Sequence, residues 1–182
     1  MDKRVQKSKA AIKKSLSELI VKKGFESVKA REVAEKAGVN RSTLYLHYSS
    51  LDSILYEMED DVVNLILTIS LKPHNDFRQY IFELAGAIAE RKTEIRALLT
   101  ASYSHLQRKV EIALKPLIIN SPYNVSALPP EDQDFIVCFL IDGSIGLINS
   151  YFTQDGKPAD LDRLVDSFIK FFSISNSLIA RK

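Results

Sequence analysis

The stretch from Glu32 to Tyr48, EVAEKAGVNRSTLYLHY, constrains the fold more than any other part of the chain. It places Ala34, then Gly38 and Val39, then Leu44 at the spacing of a helix-turn-helix, in which two short helices cross steeply. Each of these positions has a steric task. Ala34 is small enough to let the second helix lie close across the first. Gly38 supplies the positive φ that ends a helix in one sharp step. Val33, Ala37, Val39 and Leu44 form the small core that fixes the crossing. Arg41, Ser42, Thr43, Tyr45 and His47 are left pointing outward from a helix of about two turns, and these residue types bond base edges and phosphates.

Charge distribution favours the same end of the chain. The formal net charge is only +2, yet residues 1–48 hold 12 Lys and Arg against 5 Asp and Glu. The remainder carries 13 against 18. A basic block coinciding with a helix-turn-helix points to a polyanionic partner.

Nearly every segment has helical periodicity and none sustains alternation of period two, so the fold class is all-α. Val5, Ile12, Leu16, Leu19 and Ile20 mark one face of a first helix surrounded by lysines, which Gly24 ends and under which Phe25 packs. Helices are predicted over about Ala30–Ala37 and Arg41–His47, followed by a long one from Leu51–Asp52 to Lys72-Pro73. A second block begins with Asp76 as N-cap of Phe77–Glu90. A helix or broken pair follows over about Thr93–Ile118, then a proline-rich loop over Asn120–Pro130. Two last helices, Glu131–Phe152 and Asp160–Leu178, are joined through Gly156 and Pro158. Domains are expected at 1–50 and 51–182, with the helix-turn-helix at about 29–48.

The last two helices carry more apolar surface than one stripe can use. Phe135–Ile141 is apolar all round, and Gly143 and Gly146 offer a close-approach surface. Association of both helices with those of a second copy, in an isologous four-helix bundle, covers the excess. A dimer also suits a helix-turn-helix, because recognition helices about 34–36 Å apart match successive major grooves.

With these pieces in place the chain resembles the TetR/AcrR family of transcriptional regulators. The resemblance is most specific over about residues 6–66, on Gly24-Phe25, Val33-Ala34, Ala37-Gly38-Val39 and Thr43-Leu44-Tyr45-x-His47-Tyr48. It implies an amino-terminal three-helix DNA-binding domain followed by a helical effector and dimerisation domain. By position, Arg31 would reach the DNA backbone or a base edge, Arg41, Ser42 and Thr43 would read bases, and Tyr45 and His47 would bond phosphates. Two departures stand out. Lys29 occupies the helix-two cap, where the family has Ser or Thr, and Leu51 stands where a phosphate-binding lysine is usual.

The resemblance further implies an effector pocket, with Tyr80, Leu84, Leu99, Tyr103, Leu106, Phe139 and Asp142 as candidate linings. Asp142 follows seven apolar residues and needs a partner if buried.

The resulting expectation is a homodimeric, sequence-specific DNA-binding regulator, a repressor released by an effector. The rivals are a regulator or co-activator controlled by a protein partner, and a helical interaction protein with a non-specific basic surface. No enzyme activity, metal or cofactor is expected: His47, His74 and His105 are scattered, Cys138 is alone, and no nucleophile elbow or phosphate loop occurs. The basic start has no apolar h-region, and the longest apolar run stops at Asp142. A cytoplasmic protein without a membrane partner is therefore expected.

Overall fold

The computed structural model describes residues 3–101, 104–120, 125–153 and 161–179. Among these the regular structure is helical: α1 (Lys3–Lys23), α2 (Ala30–Ala37), α3 (Arg41–His47), α4 (Leu51–Ser70), α5 (Phe77–Glu90), α6 (Lys92–Thr100), α7 (Leu106–Ile119), α8 (Pro130–Thr153) and α9 (Leu161–Ile179). Single 3-10 turns lie at Phe25–Ser27 and Val125–Ala127. The chain divides into two compact units, 1–62 with 91–106, and 63–90 with 107–182.

In the first unit, α1 packs on α2 and α6. Ile12, Leu16 and Ile20, one turn apart, are buried on its inner face. Gly24 closes α1 at φ 80°, its N–H donating to the Ile20 carbonyl at 2.8 Å, and Phe25 turns back into the core. α4 is capped reciprocally: Ser53 N–H donates to Ser50 Oγ and Ser50 N–H to Ser53 Oγ, both at 3.2 Å. Glu59 on α4 is fully buried and accepts the His105 N–H at 2.6 Å, just ahead of α7. The bond gives the buried carboxylate a donor within its own unit.

In the second unit, Asp76 caps α5 as expected: Gln79 N–H donates to Asp76 Oδ1 at 2.8 Å, and Gln79 returns Oε1 to Asn75 N–H at 2.9 Å. α9 packs on α5 and α8. Phe77 meets Phe172 edge-on at 5.3 Å between ring centroids. Gly143 lets α8 approach α9 so closely that a Cβ there would lie 2.2 Å from the Phe171 ring, whereas one at Gly146 would meet nothing within 4 Å.

α7 and α8 face each other through a polar ladder. Gln107 donates to Asp142 at 2.6 Å, Cys138 Sγ–H donates to Glu111 at 3.7 Å, and Lys115 pairs with Asp134. Four residues forward on α7 match four residues back on α8. Arg108 adds a second partner to Glu111 at 2.7 Å.

Two expectations change here. Asp142 is exposed, so its run of apolar neighbours does not desolvate it, and the partner of its Oδ1 is a neutral amide of the same chain. The interruption at Asp142 also leaves Pro130–Phe152 long and apolar enough to cross a membrane by length and composition alone.

Candidate nucleic-acid interface

The helix-turn-helix is held by a small buried centre and one glycine. Val33, Ala34 and Leu44 are buried, while Ala37 and Val39 are half-buried at its edge. Gly38 adopts φ 66°, ψ 31°, and its N–H donates to the Ala34 and Glu35 carbonyls. Val39 N–H donates to the Ala34 carbonyl at 3.0 Å, completing a left-handed helix stop.

Lys29 does precede α2, and its ammonium has no lone pair with which to accept an N–H. Glu32 supplies the other half of the cap instead, its carboxylate accepting the Lys29 N–H at 2.9 Å. Both Glu32 oxygens also accept from Lys23 at 2.7 Å, which ties α1 to the start of α2. The Lys23 hydrogen bond first, then the Lys29 amide, hold the Glu32 carboxyl below its ordinary pKa.

Arg41 and Ser42 are exposed, Thr43 and His47 half-buried, and Arg31 is exposed on α2. Tyr45 is also exposed, and it pairs with Arg41 one turn earlier. The guanidinium lies 5.3 Å from the ring centroid, and Nη2 donates to the hydroxyl at 3.4 Å. Stacking of this kind narrows the rotamers open to a long arginine.

Below the recognition helix lies a network whose extent the sequence did not reveal. Glu57 on α4 accepts from Lys9 at 2.8 Å, Lys13 at 2.7 Å and the Tyr48 hydroxyl at 3.3 Å. Lys13 also pairs with Asp61, and Lys9 sits 5.0 Å from the centre of the Tyr48 ring. Burial, then Glu57, push the Tyr48 phenol strongly upward, so it remains a hydrogen-bond donor. Lys36 pairs with Glu18 at 2.8 Å. Four lysines of the basic block are thus engaged within the domain, leaving Arg31 and Arg41 among the cations without a carboxylate partner among the described contacts.

A family profile described as bacterial regulatory proteins, tetR family, matches residues 14–58, from the middle of α1 into α4. Over those residues the chain is of the TetR type. It is 25% identical over 152 residues to YuxN of Bacillus subtilis, an uncharacterized HTH-type transcriptional regulator, covering 76% of this chain and 52% of that protein. The chain therefore spans about half the length of this curated relative. Among solved structures it is similar to a TetR transcriptional regulator from Streptococcus agalactiae, with a TM-score of 0.65 and 20% identity over 99% of this chain and 97% of that one. It is also similar to a transcriptional regulator from Rhodococcus sp. Rha1, at 0.62 and 17% over 94% and 95%. The all-helical TetR-like fold is thereby established.

The effector candidates are divided. Tyr80 and Leu84 on α5 and Phe139 and Asp142 on α8 belong to the second unit, while Leu99 and Leu106 belong to the first. Tyr103 lies outside the described residues. Among the described members of the set, Tyr80 is the most enclosed polar-tipped group. Its hydroxyl is 3.0 Å from Ser70 Oγ, and its ring meets His74 edge-on at 5.2 Å. Burial pushes its phenol above the ordinary pKa, with Ser70 pulling the other way. Leu84 is half-buried, whereas Phe139 is 54% exposed beside the Phe171 ring.

Sequence reasoning passed over Leu46. In RSTLYLH the only buried helical position is Leu44, so an apolar residue two positions later falls out of phase and must face outward. That signal was present in the spacing.

Proposed function

We propose that this chain is a homodimeric, sequence-specific DNA-binding repressor that an effector releases from its operator. The observation carrying the proposal is the outward set on α3, Arg41, Ser42, Thr43, Tyr45 and His47, mounted on a buried helix-turn-helix centre. In this reading Arg41, Ser42 and Thr43 meet base edges, Tyr45 and His47 meet phosphates, and Arg31 anchors the backbone from α2. Dimerisation is supported by the apolar surface that α8 and α9 leave open at Phe135, Phe139 and Ile174. Covering that surface with the same surface of a second copy sets two recognition helices on one duplex.

The effector reading is supported by the aromatic surroundings of Tyr80, where His74 and Phe77 provide walls and the Tyr80 and Ser70 hydroxyls provide polar tips. An effector acts by binding one arrangement of the dimer better than the other, and its shift is limited by that difference.

Binding to duplexes from the DNA flanking its own gene, across a salt series, tests the proposal. Specific binding that weakens steeply with salt supports it, because phosphate contacts release counterions. Affinity indifferent to both sequence and salt sinks it.

A further inference from the structure

Leu46 is 80% exposed in the middle of the proposed DNA-reading surface. Among the described residues of its unit it is the one exposed large aliphatic side chain; the other exposed large hydrophobics there, Tyr45 and Tyr56, carry a hydroxyl. At about 100° per residue, Leu46 and Ser42 each lie about 160° around α3 from buried Leu44. They share the line of the helix most remote from the core. Arg41 and Tyr45 flank that line on one side, Thr43 and His47 on the other.

We propose that Leu46 reads the methyl group of a thymine in the major groove, an inference that rests on the DNA-binding reading above. A leucine side chain has no donor or acceptor, so it cannot read the hydrogen-bonding pattern of a base edge. What it can distinguish is the C5-methyl that thymine alone of the four bases presents in that groove. Ser42, one turn earlier on the same line, lies beside it and bonds the edge of a neighbouring base. The helix thus reads one polar and one apolar feature along a single line, and its preference contains a fixed thymine that the polar residues do not explain.

The test begins with the full chain and a library of 30-base-pair duplexes with a randomised centre, from which bound sequences are selected. Thymines of the enriched duplex are then replaced one at a time by deoxyuridine, which removes only the methyl. Wild type and Leu46→Ala are titrated against each duplex, with thermal unfolding as a control. The exposed position predicts an unchanged midpoint. The expected result is one thymine per half-site whose replacement weakens wild type about three- to fivefold, the effect of losing one buried methyl. Leu46→Ala binds that duplex and its parent equally. Equal wild-type binding with thymine or deoxyuridine at every position overturns the proposal while leaving sequence-specific binding intact. A deoxyuridine penalty of the same size in Leu46→Ala assigns the methyl to another residue and also overturns it. If wild type enriches no sequence, the DNA-binding reading itself fails, and the inference falls with it.

Discussion

The Lys13 ammonium lies 2.7 Å from the Glu57 carboxylate, joining the first helix to the one that leaves the recognition helix. Both side chains are largely covered, so the pair ranks between a surface ion pair and a buried one. Glu57→Gln is expected to lower the unfolding free energy by about 1 kcal/mol, measured by urea denaturation at neutral pH. Loss of nothing measurable would show the network to be incidental.

The same carboxylate gives stability a pH dependence of known sign. Burial pushes the Glu57 carboxyl up, but the hydrogen bonds from Lys13 and Lys9 together outweigh it and hold it below the ordinary 4.5. The folded state therefore holds this proton less tightly than the unfolded state. The contribution is complete above 4.5 and is lost as pH falls through the lowered folded value. Glu94 runs the other way: burial holds its carboxyl above 4.5, so it costs stability as pH rises from 4.5 through its folded value. Denaturation midpoints between pH 3 and 7 should give a shallower acid limb for Glu57→Gln. Glu94→Gln should gain stability relative to wild type toward neutrality.

Lysines already paired to carboxylates have little left to offer phosphates. Replacing Arg31 or Arg41 by Gln is expected to reduce the slope of log affinity against log salt by about one each. Lys13→Met should change stability and leave the slope as it was. Filter binding between about 50 and 200 mM salt distinguishes the two classes.

Three glycines should respond differently to alanine. Gly38→Ala meets no neighbour within 4 Å but must hold φ 66°, at a cost of about 1–2 kcal/mol. Gly143→Ala is placed in the Phe171 ring, and displacing that ring costs about 1–3 kcal/mol. Gly86 is helical with open space around it, so Gly86→Ala should stabilise by about 0.5–1 kcal/mol. Thermal unfolding of the three variants gives the order directly.

Phe139 is half-exposed on α8, so Phe139→Lys should fold with undiminished helical circular dichroism. If the α8–α9 surface joins two copies, sedimentation velocity should show this variant as a monomer at concentrations where wild type is dimeric. A dimer surviving the substitution would place the interface elsewhere.

Much of the helix-turn-helix was legible because its determinants are local. Gly38 announces a left-handed stop and the Ala34–Leu44 spacing a crossing, each through interactions within a few residues, and Asp76 announces the cap of α5 in the same way. What escaped was settled at a distance. The excess of basic residues in 1–48 overstates the charge available to a polyanion, since Lys9 and Lys13 find Glu57 and Asp61, 48 residues further on. Glu59 stands in the run MEDD, which looks like a solvated stretch, yet it is fully buried because the His105 amide meets it. Lys29 contributes no side-chain cap to α2, and the Glu32 carboxylate that accepts its N–H is held in place by Lys23 of α1.

The ladder between α7 and α8 carries one last implication. Slide either helix by one turn and Glu111 leaves the Cys138 thiol to confront a carboxylate, Asp142 in one direction and Asp134 in the other. Lys115 leaves Asp134 at the same stroke. The seam behaves as a keyed joint with a single seating, repelling its two nearest misalignments by like charge. Any rearrangement of this pair should therefore proceed by parting or tilting, because sliding along the axis meets a barrier in both directions.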